Sequence, residues 1–166
     1  MQILDDRQIR QKIKRLAIEI LERHFGEPEI ILAGLNNNGV EFAQLLLNEL
    51  APIAPPGMTL TPTRIRLNPA NPLEYPPSID LPAEKLRGKP IILVDDVANT
   101  GRTIFYAVQP LLSVLPQKVE VAVLVDRKHK SFPIKADYVG LSLYTTMRDD
   151  IDVQLRGGVD MAAYLR

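Results

Sequence analysis

Two adjacent carboxylates, Asp95 and Asp96, directly follow the apolar run Pro90-Ile91-Ile92-Leu93-Val94. Behind them stands Val97-Ala98-Asn99-Thr100-Gly101-Arg102-Thr103, which is small, hydroxyl-bearing and interrupted by one glycine. A phosphate dianion needs donors converging from backbone and hydroxyl groups. A helix start supplies unpaired N–H groups and a partial positive charge of about half a unit. Thr100 and Thr103 add hydroxyl donors, and Gly101 lets the backbone close on a ligand. The acidic pair then faces the other end of that ligand, where acceptors suit ribose hydroxyls, directly or through Mg²⁺ and its waters. A P-loop needs Gly-x-x-x-x-Gly-Lys-Ser/Thr, which is missing here. A receiver domain also sets an acidic pair after an apolar strand, but near the start of the domain. Only 70 residues follow Asp96, too few for that layout. The plain alternative is a polar strand end with a capping threonine.

Such a turn must be held between a buried strand and a helix. The sequence predicts these elements repeatedly. Asp5 and Asp6 head a helix whose Ile9, Ile13, Leu16, Ala17, Ile20 and Leu21 recur at spacings of three and four, with Gly26 and Pro28 ending it. Ile30 to Ala33 reads as a buried strand. It runs into a loop, Gly34 to Gly39, that tolerates positive φ, and a helix is expected from about Val40 to Leu50. A strand from Thr59 to Leu67 precedes a polar, proline-rich stretch, Leu67 to Leu81, expected to be a loop and a candidate lid. Pro90 to Val94 and Val119 to Val125 read as buried parallel strands, with a helix from Thr103 to about Leu115 between them. Asp126 to Lys130 reads as a charged turn. Ala136 to Leu143 and Ile151 to Leu155 are weaker strand candidates, and 157–166 carries no pattern. The alternation argues an α/β fold with a mainly parallel central sheet flanked by helices.

Composition narrows the chemistry. The 166 residues are enough for one domain with a real core. Cysteine is absent and histidine occurs only as His24 and His129, so thiol nucleophiles, disulfides and multi-histidine metal sites are excluded. Lys plus Arg and Asp plus Glu balance at 20 each, which disfavours nucleic-acid binding by bulk charge. No apolar run reaches about 18 residues, so no transmembrane helix and no membrane partner are expected. Met1 to Arg10 is too polar for a secretory signal, and a cytoplasmic setting is the default expectation.

Ile91 to Thr103 resembles the phosphoribosyl pyrophosphate motif of type I phosphoribosyltransferases at every defining position. Within that superfamily the chain is most similar to the bifunctional uracil phosphoribosyltransferase and pyrimidine-operon RNA attenuator family. The helix Ile9 to Arg23, the stretch Ala33 to Val40, and Val121 to Arg127 through Pro133 to Gly140 also match. The resemblance implies the type I phosphoribosyltransferase fold over 1–166, with a flexible loop at about 67–81 and a small hood from about 126–155. It implies a 5′-phosphate cradle from Val97, Ala98, Asn99, Thr100, Gly101, Arg102 and Thr103. Asp95 and Asp96 would hold the ribose diol, and Mg²⁺ would be held mainly by substrate oxygens. Leu35, Asn36, Asn37, Asn38 and Gly39 would grip pyrophosphate through backbone amides, with a cis peptide at Leu35–Asn36. Arg66 would reach the pyrophosphate. Asp126, Arg127, Ile151 and Asp152 would face the base.

The implied reaction is Mg²⁺-dependent transfer of a phosphoribosyl group to a nucleobase, uracil first, by a homodimer or larger homo-oligomer. Two departures stand out. The attenuator branch usually carries Lys and Arg where this chain has Asn36 and Asn38, and its catalytic loop is rewritten as Asn68-Pro69-Ala70-Asn71-Pro72. The second reading is therefore a non-catalytic sensor of nucleotide or phosphoribosyl pyrophosphate. That sensor would contact RNA through Lys128, His129, Lys130 and Lys135.

Overall fold

A computed structural model describes residues 1–166. Helix α1 (Asp6–Arg23) opens on a capping box. Asp5 accepts from the Gln8 amide at 2.8 Å, and the Gln8 side chain accepts from the Asp5 amide at 2.9 Å. Strand β1 (Gln2–Leu4) precedes it, and β2 (Glu29–Leu35), α2 (Asn36–Leu50) and β3 (Thr59–Arg66) follow. Then come β4 (Ser78–Ile79), α3 (Ala83–Leu86), β5 (Pro90–Ala98) and α4 (Arg102–Ala107). Strands β6 (Lys118–Arg127), β7 (Tyr138–Leu143), β8 (Ile151–Gln154) and β9 (Ala162–Leu165) complete the chain. No helix is long and apolar enough to cross a membrane.

Six strands form the main sheet in the order β4-β3-β2-β5-β6-β7, parallel except for the edge strand β4. Its central strands are buried on both faces, so they read as unbroken apolar runs. Their side chains nonetheless alternate between two cores. Ile30, Leu32, Ile92, Val94, Ala122 and Leu124 pack with α1 and α2. Ile31, Ala33, Ile91, Leu93, Val121 and Val123 pack on the other face with Leu67, Leu86, Ile104 and Ala107. A separate antiparallel sheet, β1-β9-β8, joins the chain's two ends to β8.

The structure corrects several expectations. No loop separates β2 from α2: the helix begins at Asn36, four residues earlier than expected. Of residues 34–39 only Asn36 takes a positive φ, 53°, and the Leu35–Asn36 bond is trans. Strand β5 continues through Asp95 and Asp96 to Ala98, so the acids sit on a strand end rather than in a loop. Helix α4 stops at Ala107 and passes into a 3-10 turn over Gln109–Leu111, because Pro110 supplies no amide to a continuing helix. Asp126 and Arg127 end β6 instead of forming a turn. Of the stretch 126–155, β6 and β7 belong to the main sheet, while β8 is an edge of the small one, where 162–165 lies between it and 2–4. Two four-residue strands alone cannot persist, and the third strand that completes their sheet, β1, comes from the opposite end of the chain, where no local pattern reveals it.

Candidate functional site

Parallel strands deliver their carboxyl ends to one edge of the sheet, where ligands of open α/β folds bind. Here the ends of β2, β3 and β5 surround an open cleft of about 730 Å³. Leu35, Asn36, Asn37 and Asn38 form one wall, from the end of β2 and the first turn of α2. Asp95, Asp96, Val97, Asn99 and Thr103 form the floor, and Ile151 closes the side toward the small sheet. An adjoining recess is walled by Ala98, Thr100, Gly101 and Arg102, together with Asp95, Val97, Asn99 and Thr103. The turn and the α2 start, separated by about 60 residues of sequence, thus face one space. Gly39 lies behind the cleft wall, under the Val94 carbonyl.

The turn is open to an anion. Gly101 stands at φ 88°, a conformation that suits glycine. The amides of Asn99, Thr100 and Gly101 have no partner within the chain. The Thr100 hydroxyl oxygen accepts from the Arg102 amide at 3.3 Å, which leaves its proton free to donate. Asp95 and Asp96 have no basic partner. Burial, and then the Asp96 charge, hold the Asp95 carboxyl well above the usual carboxylate range, and burial raises Asp96 as well. Asp95 accepts from the Asp96 amide and Asp96 from the Val97 amide, each at 2.9 Å. The remaining lone pairs are available as acceptors for hydroxyls or for a hydrated cation.

Arg66 lines the cleft, but its guanidinium is paired with Asp80 at 3.0 Å. Arg64 lines it too. With Ile65 buried between them, strand alternation puts both arginines on the other face, the signal by which Arg64 could have been found. Leu67, Asn68, Pro69 and Tyr75 of the proline-rich loop also line the cleft. The Arg102 guanidinium donates to the Pro69 carbonyl at 2.7 Å, and the Asn36 side chain accepts from the Leu67 amide at 3.1 Å. The loop therefore docks on both walls. Nothing local in the sequence marks Tyr75 for this position.

The expected base-facing residues separate. Ile151 reaches the cleft. Asp152, its neighbour on β8, points the other way and pairs with Arg166 at 2.7 Å, as strand alternation requires. Asp126 is 5% exposed and turned inward, held by Lys130 at 2.7 Å and Lys128 at 3.5 Å, since a buried charge demands a partner. Arg127 does not line the cleft. It donates to the Asn99 side chain at 3.1 Å, the Thr145 hydroxyl at 2.8 Å and the Thr146 carbonyl at 2.9 Å, tying the β7–β8 loop to the turn.

The sequence model of the phosphoribosyl transferase domain matches residues 1–154. The bifunctional protein PyrR of Streptomyces coelicolor is 35% identical over 161 residues, covering 92% of this chain and 82% of that protein. The bifunctional protein PyrR of Bacillus pumilus is 35% identical over 161 residues, covering 92% and 89%. In fold, the chain is similar to a hypoxanthine-guanine phosphoribosyltransferase from Bacillus anthracis, with a TM-score of 0.75 at 20% identity over 99% of this chain and 97% of that one.

Proposed function

Since the chain belongs to the phosphoribosyl transferase family, we propose that it transfers a phosphoribosyl group from phosphoribosyl pyrophosphate to a nucleobase, uracil first. One observation carries this reading. An acidic pair without a basic partner shares one cleft with the first turn of α2, and a turn with three unpartnered amides walls the recess that adjoins it. The turn and the Thr100 and Thr103 hydroxyls bind the 5′-phosphate. Asp95 and Asp96 accept from the ribose hydroxyls. The α2 amides, with Arg64 and Arg66, hold the departing pyrophosphate, while Ile151 borders the base. The transition state is oxocarbenium-like, so catalysis consists of stabilising the leaving group and aligning the base, without a protein nucleophile.

No three His, Asp or Glu side chains stand together to hold a metal by protein ligands alone. The two carboxylates fit a hydrated Mg²⁺ whose other ligands are substrate oxygens. When bound, Mg²⁺ neutralises part of the pyrophosphate charge. A homo-oligomeric state is part of the same reading.

The second reading, a nucleotide or phosphoribosyl pyrophosphate sensor that contacts RNA, is favoured by Asn36 and Asn38. They leave the α2 wall without a cation, while Arg66 is engaged by Asp80. Incubation with phosphoribosyl pyrophosphate, Mg²⁺ and a panel of bases, followed by pyrophosphate release, separates the two. Turnover with uracil is expected. Turnover with another base corrects the substrate, and tight binding without any turnover supports the sensor. RNA affinity that falls steeply with salt would support phosphate contacts by Lys128 and Lys135.

A further inference from the structure

We infer that Lys130 is a positioning residue for the phosphate turn, holding its carbonyls on one side so that its amides present on the other. Lys130 sits in the segment after β6, four residues beyond Asp126, and its side chain is only 20% exposed. Its ammonium donates to Asp126 at 2.7 Å and to the Asn99 carbonyl at 3.0 Å. It also reaches the Ala98 carbonyl at 3.5 Å and the Arg127 carbonyl. The next two residues continue the grip: the Ser131 and Phe132 amides both donate to the Thr100 carbonyl, at 2.9 and 3.2 Å. Three successive carbonyls, of Ala98, Asn99 and Thr100, are thereby held toward one segment.

Peptide planarity converts this grip into an orientation. In a trans peptide the C=O of one residue and the N–H of the next point in opposite directions. All peptide bonds here are trans. The amides of Asn99, Thr100 and Gly101 must therefore point away from Lys130, and they are the three that find no partner within the chain. Asp126 completes the device. Its buried carboxylate fixes the ammonium, so the orientation is set before any anion arrives. An ammonium spent in this way is no longer a free basic group on the surface, which removes Lys130 from the side chains available to RNA.

This inference rests on the reading of the turn as the 5′-phosphate cradle, and its test is built to separate the two. Calorimetry measures binding of ribose 5-phosphate and of inorganic pyrophosphate to the full chain, its Lys130→Met and Lys130→Arg variants, and Asp126→Asn. Lys130→Met should weaken ribose 5-phosphate about tenfold or more, the scale of a lost hydrogen bond to a charged group, while pyrophosphate binding on the α2 wall stays the same. Lys130→Arg should recover part of the loss. Asp126→Asn, close in size, should give the same selective loss and carries the test where Lys130→Met does not fold. Unchanged ribose 5-phosphate affinity in the folded variants overturns the inference, as does an equal loss for both ligands, the mark of a merely structural role. If the unsubstituted chain binds pyrophosphate but no ribose 5-phosphate, the cradle itself is wrong and the inference falls with it.

Discussion

Replacing Gly34 by alanine puts the spacing between the sheet and the α2 wall under direct test. Gly34 is the penultimate residue of β2, paired with Arg64 on one side and Val94 on the other. A Cβ there would lie 2.6 Å from both the Cα and the amide nitrogen of Val40 and 2.8 Å from the Gly39 carbonyl carbon. All three are backbone atoms in the first turns of α2, so no side-chain rotation relieves the overlap. Ordinary contact begins at 3.4 Å. The helix start must therefore retreat by about 0.8 Å, and overpacking of this kind costs about 1–3 kcal/mol. For a chain of this length the melting temperature should fall by about 2–12 °C. The retreat also moves the Asn36–Asn38 wall away from Asp95. A displacement near 1 Å costs up to about 100-fold in a positioned reaction. Pyrophosphate affinity by calorimetry should accordingly drop about 10- to 100-fold. Gly26→Ala is the control: Gly26 has φ 87° with nothing within 4 Å, so it loses stability through torsion while the cleft is untouched. If Gly34→Ala binds pyrophosphate as tightly as Gly26→Ala does, the close-approach argument is wrong.

Three further outcomes follow from the same geometry. Asp95→Asn should abolish base-dependent pyrophosphate release yet leave the fold as stable or stabler at neutral pH. A carboxyl raised by burial and by Asp96 contributes stability that is present while it is protonated and lost as pH rises from the ordinary carboxylate range through its raised value. The substitution should flatten that part of a melting-temperature profile against pH, and an unchanged profile contradicts the assignment. Asn36→Lys should raise pyrophosphate affinity about fivefold or more, because charge-assisted hydrogen bonds are about twice as strong as neutral ones. It should also lose about 1 kcal/mol of stability, since position 36 stands at φ 53° and the side-chain bond to Leu67 is removed. Thr100→Val keeps the volume and deletes the hydroxyl, so ribose 5-phosphate should bind about tenfold more weakly in the same calorimetric assay, and equal binding removes Thr100 from the cradle.

Much of this site was legible because its chemistry is local. The run from Pro90 to Thr103 holds a buried strand, two acids, two threonines and the glycine that turns at positive φ within one stretch, and the structure builds them into one strand–turn–helix unit. The α1 cap and its apolar stripe were equally readable, since both depend on residues three and four apart. The loop expected over 34–39 was not a loop. Glycine at 34 meets a need for space against Val40, which a sequence cannot distinguish from a need for unusual torsion.

Asp126 and Asp152 show where local reading ends. Asp126 looks like a surface charge until Lys130, which also donates to the turn carbonyls, pairs with it, and Asp152 faces Arg166 through a pairing with β9 that no local pattern announces. The amino-acid order alone specified the strand and helix periods, the acidic pair and the donor-rich turn, because these depend on neighbours within a few residues. Tertiary structure decided which three strand ends share the cleft, that the proline-rich loop docks through Arg102 and Asn36, and which way Asp126 and Lys130 point. Those outcomes depend on contacts between segments tens of residues apart, and only packing of the whole sheet brings them within reach of one another.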